Sequence, residues 1–117
     1  MDERTQRTIR EVAEELGLTV MAGKEGLGQV VTGAQVSDLL SYVMAQGRAG
    51  DLWVTIQTHP NIIAVAALAR LAGIVVAAGF DPGEETLDRA DEENTPVLVG
   101  EESAFRIAGR LYELGVR

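Results

Sequence analysis

The sequence has 117 residues, no cysteine, and ten Lys and Arg against eighteen Asp and Glu, a formal net charge of −8. That length suits one domain with a real core and is short for two, so residues 1–117 are expected to form a single unit. The acidic balance argues against nucleic acid and anionic membranes as partners, and the missing thiols exclude disulfides, thiolate zinc sites and cysteine nucleophiles.

The opening MDERTQRTIREV lacks the apolar run of a signal peptide, which predicts a cytoplasmic protein. Ile9, Val12, Ala13 and Leu16 recur at helical spacing with Gly17 after them, so a helix is expected from about Arg4 to Leu16. A short strand follows at Leu18–Ala22. GKEGLG, residues 23–28, is not a phosphate-binding Walker loop, because Gly-Lys is not followed by Ser or Thr and a strand, not a helix, comes next. A Gly turn between two short strands accounts for it. Val36, Leu39, Leu40, Val43 and Met44 then mark an apolar stripe on a helix opened by Ser37 or Asp38.

DLWVTIQ, residues 51–57, alternates Leu52, Val54 and Ile56 on one face, which sends Trp53 to the opposite helix layer or to an oligomer contact. Residues 62–80 are apolar apart from Arg70 and approach the length of a membrane span. They are rich in Ala and Gly, charged near the middle and broken at Gly73, so the preferred reading is a helix to Ala72, a Gly73 cap and a buried strand. That helix is apolar nearly all round and must be buried on two sides or lie at a subunit contact. Strand and helix alternate from Asp51 onward. The expectation is a three-layer α/β/α domain with a mostly parallel sheet of about five strands, near residues 19–22, 29–35, 51–57, 74–78 and 96–99.

Ligands of such sheets gather beyond the carboxyl ends of the strands, so the candidate positions are Gln57, Thr58, His59 and Asn61, then Gly79, Phe80 and Asp81, then Gly100 and Ser103. In GFDPGEE, Asp81 is expected as N-cap, Pro82 at the first helical position and Glu84 as the capping-box partner. Three carboxylates at the positive end of a helix make a plain capped turn preferable to a phosphate cradle. His59, the one histidine, has Gln57, Thr58 and Asn61 as sequence neighbours, none of them a good base, so a rim histidine near the Asn61 helix start is favoured over an acid–base catalyst. The run DRADEEN, residues 88–94, reads as a solvated helix face. No catalytic residue, metal site or cofactor is expected.

With these elements in this order, IREVAEELGLTVMAG, VVTGAQVSDLLSYV, GDLWVTIQTHPNIIAVAAL and the segment from Gly73 through TPVLVG to the helix entered at Ser103, the chain resembles a DRTGG domain. That family supplies regulatory modules in some phosphate acetyltransferases and CBS-domain pyrophosphatases, and is similar to the N-terminal domain of HPr kinase/phosphorylase. In the family an Asp-Arg pair follows the third strand and a Thr-Gly-Gly run the fourth; here Thr58-His59 (or His59-Pro60) and Ala78-Gly79-Phe80 occupy those places. The resemblance implies a module that dimerises, senses or transmits without chemistry of its own. The leading expectation is a non-catalytic regulatory module that forms a homodimer and acts through a partner protein such as a metabolic or signalling enzyme. The alternative is a sensor of an adenine nucleotide or another small metabolite, and a third reading is a small enzyme using His59 with Glu101 or Glu102.

Overall fold

Thr8 opens the first helix in the computed structural model, which describes residues 7–117. Its hydroxyl accepts from the Glu11 N–H while the Glu11 carboxylate accepts from the Thr8 N–H, a reciprocal capping box that starts α1 (Ile9–Leu16). The expected start near Arg4 therefore moves to Ile9, residues 4–6 lying outside the described part. Gly17, at φ 69°, stops the helix as foreseen.

β1 is Thr19–Ala22, and a single 3₁₀ turn at Lys24–Gly26 follows. The glycines of this turn serve close packing: a Cβ on Gly23 would fall 2.0 Å from the Thr95 carbonyl oxygen, and one on Gly26 2.6 Å from the Asn94 carbonyl oxygen. β2 is Gly33–Val36 instead of 29–35. Residues 29–31 are diverted to the chain before α1, where Ile9 N–H donates to the Gln29 carbonyl and Val31 N–H to that of Arg7.

α2 is Leu40–Gln46, shorter than its apolar pattern suggested, and neither Ser37 nor Asp38 caps it. The Ser37 hydroxyl turns to the Leu39 N–H, and the Asp38 carboxylate accepts from the Thr55 hydroxyl and the Ile56 N–H. Of the stripe, Val43 is buried and Leu40 half-buried, while Leu39 and Met44 are exposed. β3 (Asp51–Thr55) is buried throughout, and Trp53 goes to the helix layer, donating from Nε1 to the Ser37 carbonyl at 2.8 Å.

α3 runs from Asn61 to Ala69 and is stopped by Arg70 at φ 57°, before the expected Gly73. Ala72 then donates to the Asp51 carbonyl, which swings the chain into β4 (Gly73–Val76). α4 spans Glu84–Glu93, β5 Val97–Val99 and α5 Ala104–Glu113.

The strand order is β1-β5-β4-β3-β2, with β2 to β5 parallel and β1 antiparallel to β5. Four parallel strands taken in sequence, each joined by a right-handed crossover, put α2, α3 and α4 on one face. There they cover Trp53, Ile74, Val76 and Val97; α1 and α5 cover Leu52, Val54, Val75 and Leu98 on the other face. The expected α/β/α layering with a mostly parallel five-stranded sheet is the fold observed.

Candidate functional site

The parallel strands all end on one rim, at residues 56–61 after β3, 77–83 after β4 and 100–103 after β5. Because β1 runs the other way, its start comes to the same rim beside β5. Between them lies a cleft of about 230 Å³, with Thr19 and Met21 of β1 on one side, Gly79, Phe80 and Asp81 on another, and Gly100 and Glu101 at the base of β5. Of the nine candidate positions, Gly79, Phe80, Asp81 and Gly100 meet there. The wall from β1 was not foreseen, since nothing in the local sequence announces an antiparallel edge strand.

The other five candidates lie outside the cleft, engaged in the scaffold. Gln57 Nε2 donates to the Asp38 carbonyl at 3.1 Å, and the Thr58 carbonyl accepts from the Thr86 hydroxyl at 2.6 Å. His59 Nδ1 accepts the Asn61 N–H at 3.0 Å, in the first turn of α3. Ser103 is the N-cap of α5, its hydroxyl accepting from the Arg106 N–H. His59 thus has a backbone partner, while Glu102 is turned to Arg110, 2.5 Å away, whose Nη1 also donates to the Leu16 carbonyl at the end of α1.

The turn after β4 decides what the cleft can hold. Ala78 and Gly79 both adopt left-handed backbone, at φ 61° and 76°, and their N–H groups donate to the carbonyls of Glu102 and Gly100. Phe80 N–H closes the turn onto Ala77, and Gly83 N–H is taken by the Asp81 carboxylate at 2.9 Å. Asp81 is therefore not the N-cap of α4. That place belongs to Gly83, at φ 85° and ψ 162°, a conformation open mainly to glycine, so Pro82 precedes the helix and Glu84 is its first residue. A phosphate would find these donors occupied and would face Asp81 and Glu101 across the cleft.

Along the whole carboxyl rim, exposed polar residues such as Asp38, His59, Asp81 and Glu101 alternate with exposed apolar ones. Leu39, Ile56, Phe80 and Phe105, one from each of the connections after β2, β3 and β4 and one from the first turn of α5, are exposed. Among the described residues no group of three or more His, Cys, Asp or Glu could hold a metal ion, and no helix is long and apolar enough to cross a membrane.

The DRTGG domain matches residues 11–114. The chain belongs to the DRTGG domain family. The CBS and DRTGG domains of the regulatory region of Clostridium perfringens pyrophosphatase, crystallised with the activator diadenosine tetraphosphate, superpose on this DRTGG domain with a TM-score of 0.74 at 17% sequence identity. The alignment covers 95% of this chain and 48% of that one, so the chain spans about half the length of that structure. No curated protein sequence matches closely enough to count as a relative. The two left-handed positions in the turn after β4 are Ala78 and Gly79.

Proposed function

We propose that this DRTGG domain is a non-catalytic regulatory module that self-associates and acts on a partner enzyme through protein contacts, residues 1–117 working as one unit in the cytoplasm. The observation that carries the reading is the sheet's carboxyl rim. It offers exposed Leu39, Ile56, Phe80 and Phe105, and its turn N–H groups at 78, 79, 80 and 83 are already bonded within the chain. Surfaces of that kind favour a protein partner over a charged metabolite.

The second reading is a small-ligand sensor. It draws on the diadenosine tetraphosphate held by the clostridial relative and on the cleft at Gly79, Phe80, Asp81 and Gly100. Against phosphates stand the Asp81 and Glu101 carboxylates; the cleft is also smaller than the ~300 Å³ at which ligand pockets begin. Gln57, Thr58, His59, Asn61 and Ser103 would enter such a site only if their present hydrogen bonds were exchanged for ligand contacts.

Thermal melting with AMP, ATP and diadenosine tetraphosphate, paired with light scattering, separates the two. A ligand at a hundred times its Kd adds about 2.7 kcal/mol, a shift of many degrees in a chain this size. The regulatory reading expects a dimer whose melting temperature is unmoved. A nucleotide shift of that size would transfer the assignment to the sensor.

A further inference from the structure

The sheet has two edges, and they differ in charge and cover. At the β1 edge the cleft carries Asp81 and Glu101, and Asp91 of α4 holds the Gly23 N–H. The β2 edge is flanked by two open clefts, one of about 390 Å³ that includes Gln35, Tyr42 and Arg48, the other of about 260 Å³ that includes Ala34, Val36 and Tyr112. The charged residues lining this pair are Arg48, Arg117 and Asp51. Asp51 is buried, its carboxylate accepting from Gln35 Nε2 and the Arg48 N–H.

From this we infer that the β2 edge is the seam of a homodimer: Gly33–Val36 pairs antiparallel with the same strand of a second copy across a two-fold axis, making one continuous ten-stranded sheet. The inference rests on the self-association proposed above and gives it a surface. An open edge needs a complementary row of donors and acceptors, and another copy of the same edge in antiparallel orientation supplies it. The sequence Gly-Ala-Gln-Val holds none of the Lys, Pro or inward charge with which single chains blunt such edges. In a chain of net charge −8 two copies repel over most of their surface, and this edge is not acidic, so it is where they can approach.

Packing on both faces agrees. With α5 over β3, two α5 helices would stand three strand spacings apart, about 14 Å, against the ~8–10 Å of direct helix contact. Large side chains must bridge the remainder. Phe105 and Tyr112, seven residues apart on one line of α5, are 86% and 59% exposed, and Val36, which shares a cleft with Tyr112, is 49% exposed. On the opposite face Tyr42 of α2 reaches the same edge. At ~150–250 Å² per aromatic side chain, the three rings leave on the order of 400 Å² uncovered, half of the ~800 Å² each partner gives to a standard interface. Val36, Leu39 and the paired backbone contribute the rest.

The test is sedimentation equilibrium from 1 to 100 µM on the wild-type chain and on Val36→Lys, Tyr112→Glu and Leu68→Glu. Leu68, 72% exposed on α3, represents the competing apolar surface. The inference expects a wild-type dimer, at least a 100-fold weaker dimer in Val36→Lys and Tyr112→Glu, and no change in Leu68→Glu. Hydrogen exchange on the wild-type protein is the arm independent of any variant: amides of Gly33–Val36 should slow at least tenfold from the lowest to the highest concentration. A dimer that survives both edge substitutions, or β2 amides indifferent to concentration, overturns this seam while leaving self-association standing. A wild-type monomer at 100 µM removes both.

Discussion

Replacing Ala78 by glycine should stabilise this protein, although it deletes a methyl group. Ala78 sits at φ 61°, where a Cβ crowds the following carbonyl at a cost of about 1–2 kcal/mol, and it is exposed, so its methyl has little packing to lose. Its N–H bond to the Glu102 carbonyl, 2.8 Å, survives the change. Against the relief stands the greater freedom of glycine in the unfolded chain, about 0.4–1 kcal/mol. The net expectation for Ala78→Gly is a gain of about 0.5–1 kcal/mol. At the next position the sign reverses. Gly79 has φ 76°, and an alanine Cβ there would fall 2.6 Å from Glu101 Oε2, a side-chain end that can move aside, so the same two terms reversed, with the displacement of Glu101 added, make Gly79→Ala lose about 1 kcal/mol. Urea denaturation followed by far-UV circular dichroism measures both, with equal m-values confirming that the folded states match. A neutral Gly79→Ala, or an Ala78→Gly that destabilises, would refute the assignment of the two left-handed positions.

Gly23→Ala should be far more damaging than Gly79→Ala, about 4 kcal/mol or failure to fold, because its Cβ would meet the Thr95 main chain, which cannot swing away; expression and urea midpoints decide it. Trp53→Phe should lose about 2 kcal/mol in the same assay, from the orphaned Ser37 carbonyl and the smaller ring in a fully buried site. His59→Ala should cost no more than about 1 kcal/mol and leave the oligomeric state unchanged, since the ring's bond is local, to the Asn61 N–H. The Arg7 hydrogen bond, with its charge, holds the Glu15 carboxyl below the ordinary range. A lowered folded pKa means a stabilising contribution present above the unfolded value and lost as pH falls through the folded one. Acid titration of the melting temperature should therefore be shallower in Glu15→Gln than in the wild type.

The order of elements was legible because each signal was local and strong: Gly17 after an amphipathic run, apolar IVV and VLV stretches, Ser103 before α5. What escaped was set by partners distant in sequence. Nothing in Gln29–Val31 shows that it pairs with the chain before α1, and Asp38 looks like a helix cap until Thr55 and Ile56 are found to claim its carboxylate. Arg70 stops α3 although arginine carries no left-handed preference; buried Leu71 and the bond from Ala72 to Asp51 impose the turn. The candidate residues divide in the same way. Gly79, Phe80, Asp81 and Gly100 converge because β4 and β5 are neighbours and β1 walls them in, whereas Ser103 is taken up by the cap of α5 and Gln57 to Asn61 lie one strand further along, tied to the start of α2, to α3 and to α4.

The turn after β4 keeps its shape through main-chain bonds: Ala78 to Glu102, Gly79 to Gly100, Phe80 to Ala77. None of these requires a threonine or a second glycine, so the turn forms on the sequence Ala77-Ala78-Gly79-Phe80 without them. Side chains are another matter. With His59 at a helix start and no Asp-Arg pair in Gln57–Pro60, the groups at this rim that carry charge near the cleft are Asp81 and Glu101, which repel phosphate. The scaffold and the side chains of the rim are thus separable: backbone hydrogen bonding holds the turn, while Asp81 and Glu101 set the charge of the cleft beside it. On the reading proposed above, a sheet edge and exposed apolar side chains of this kind would serve contact with another protein.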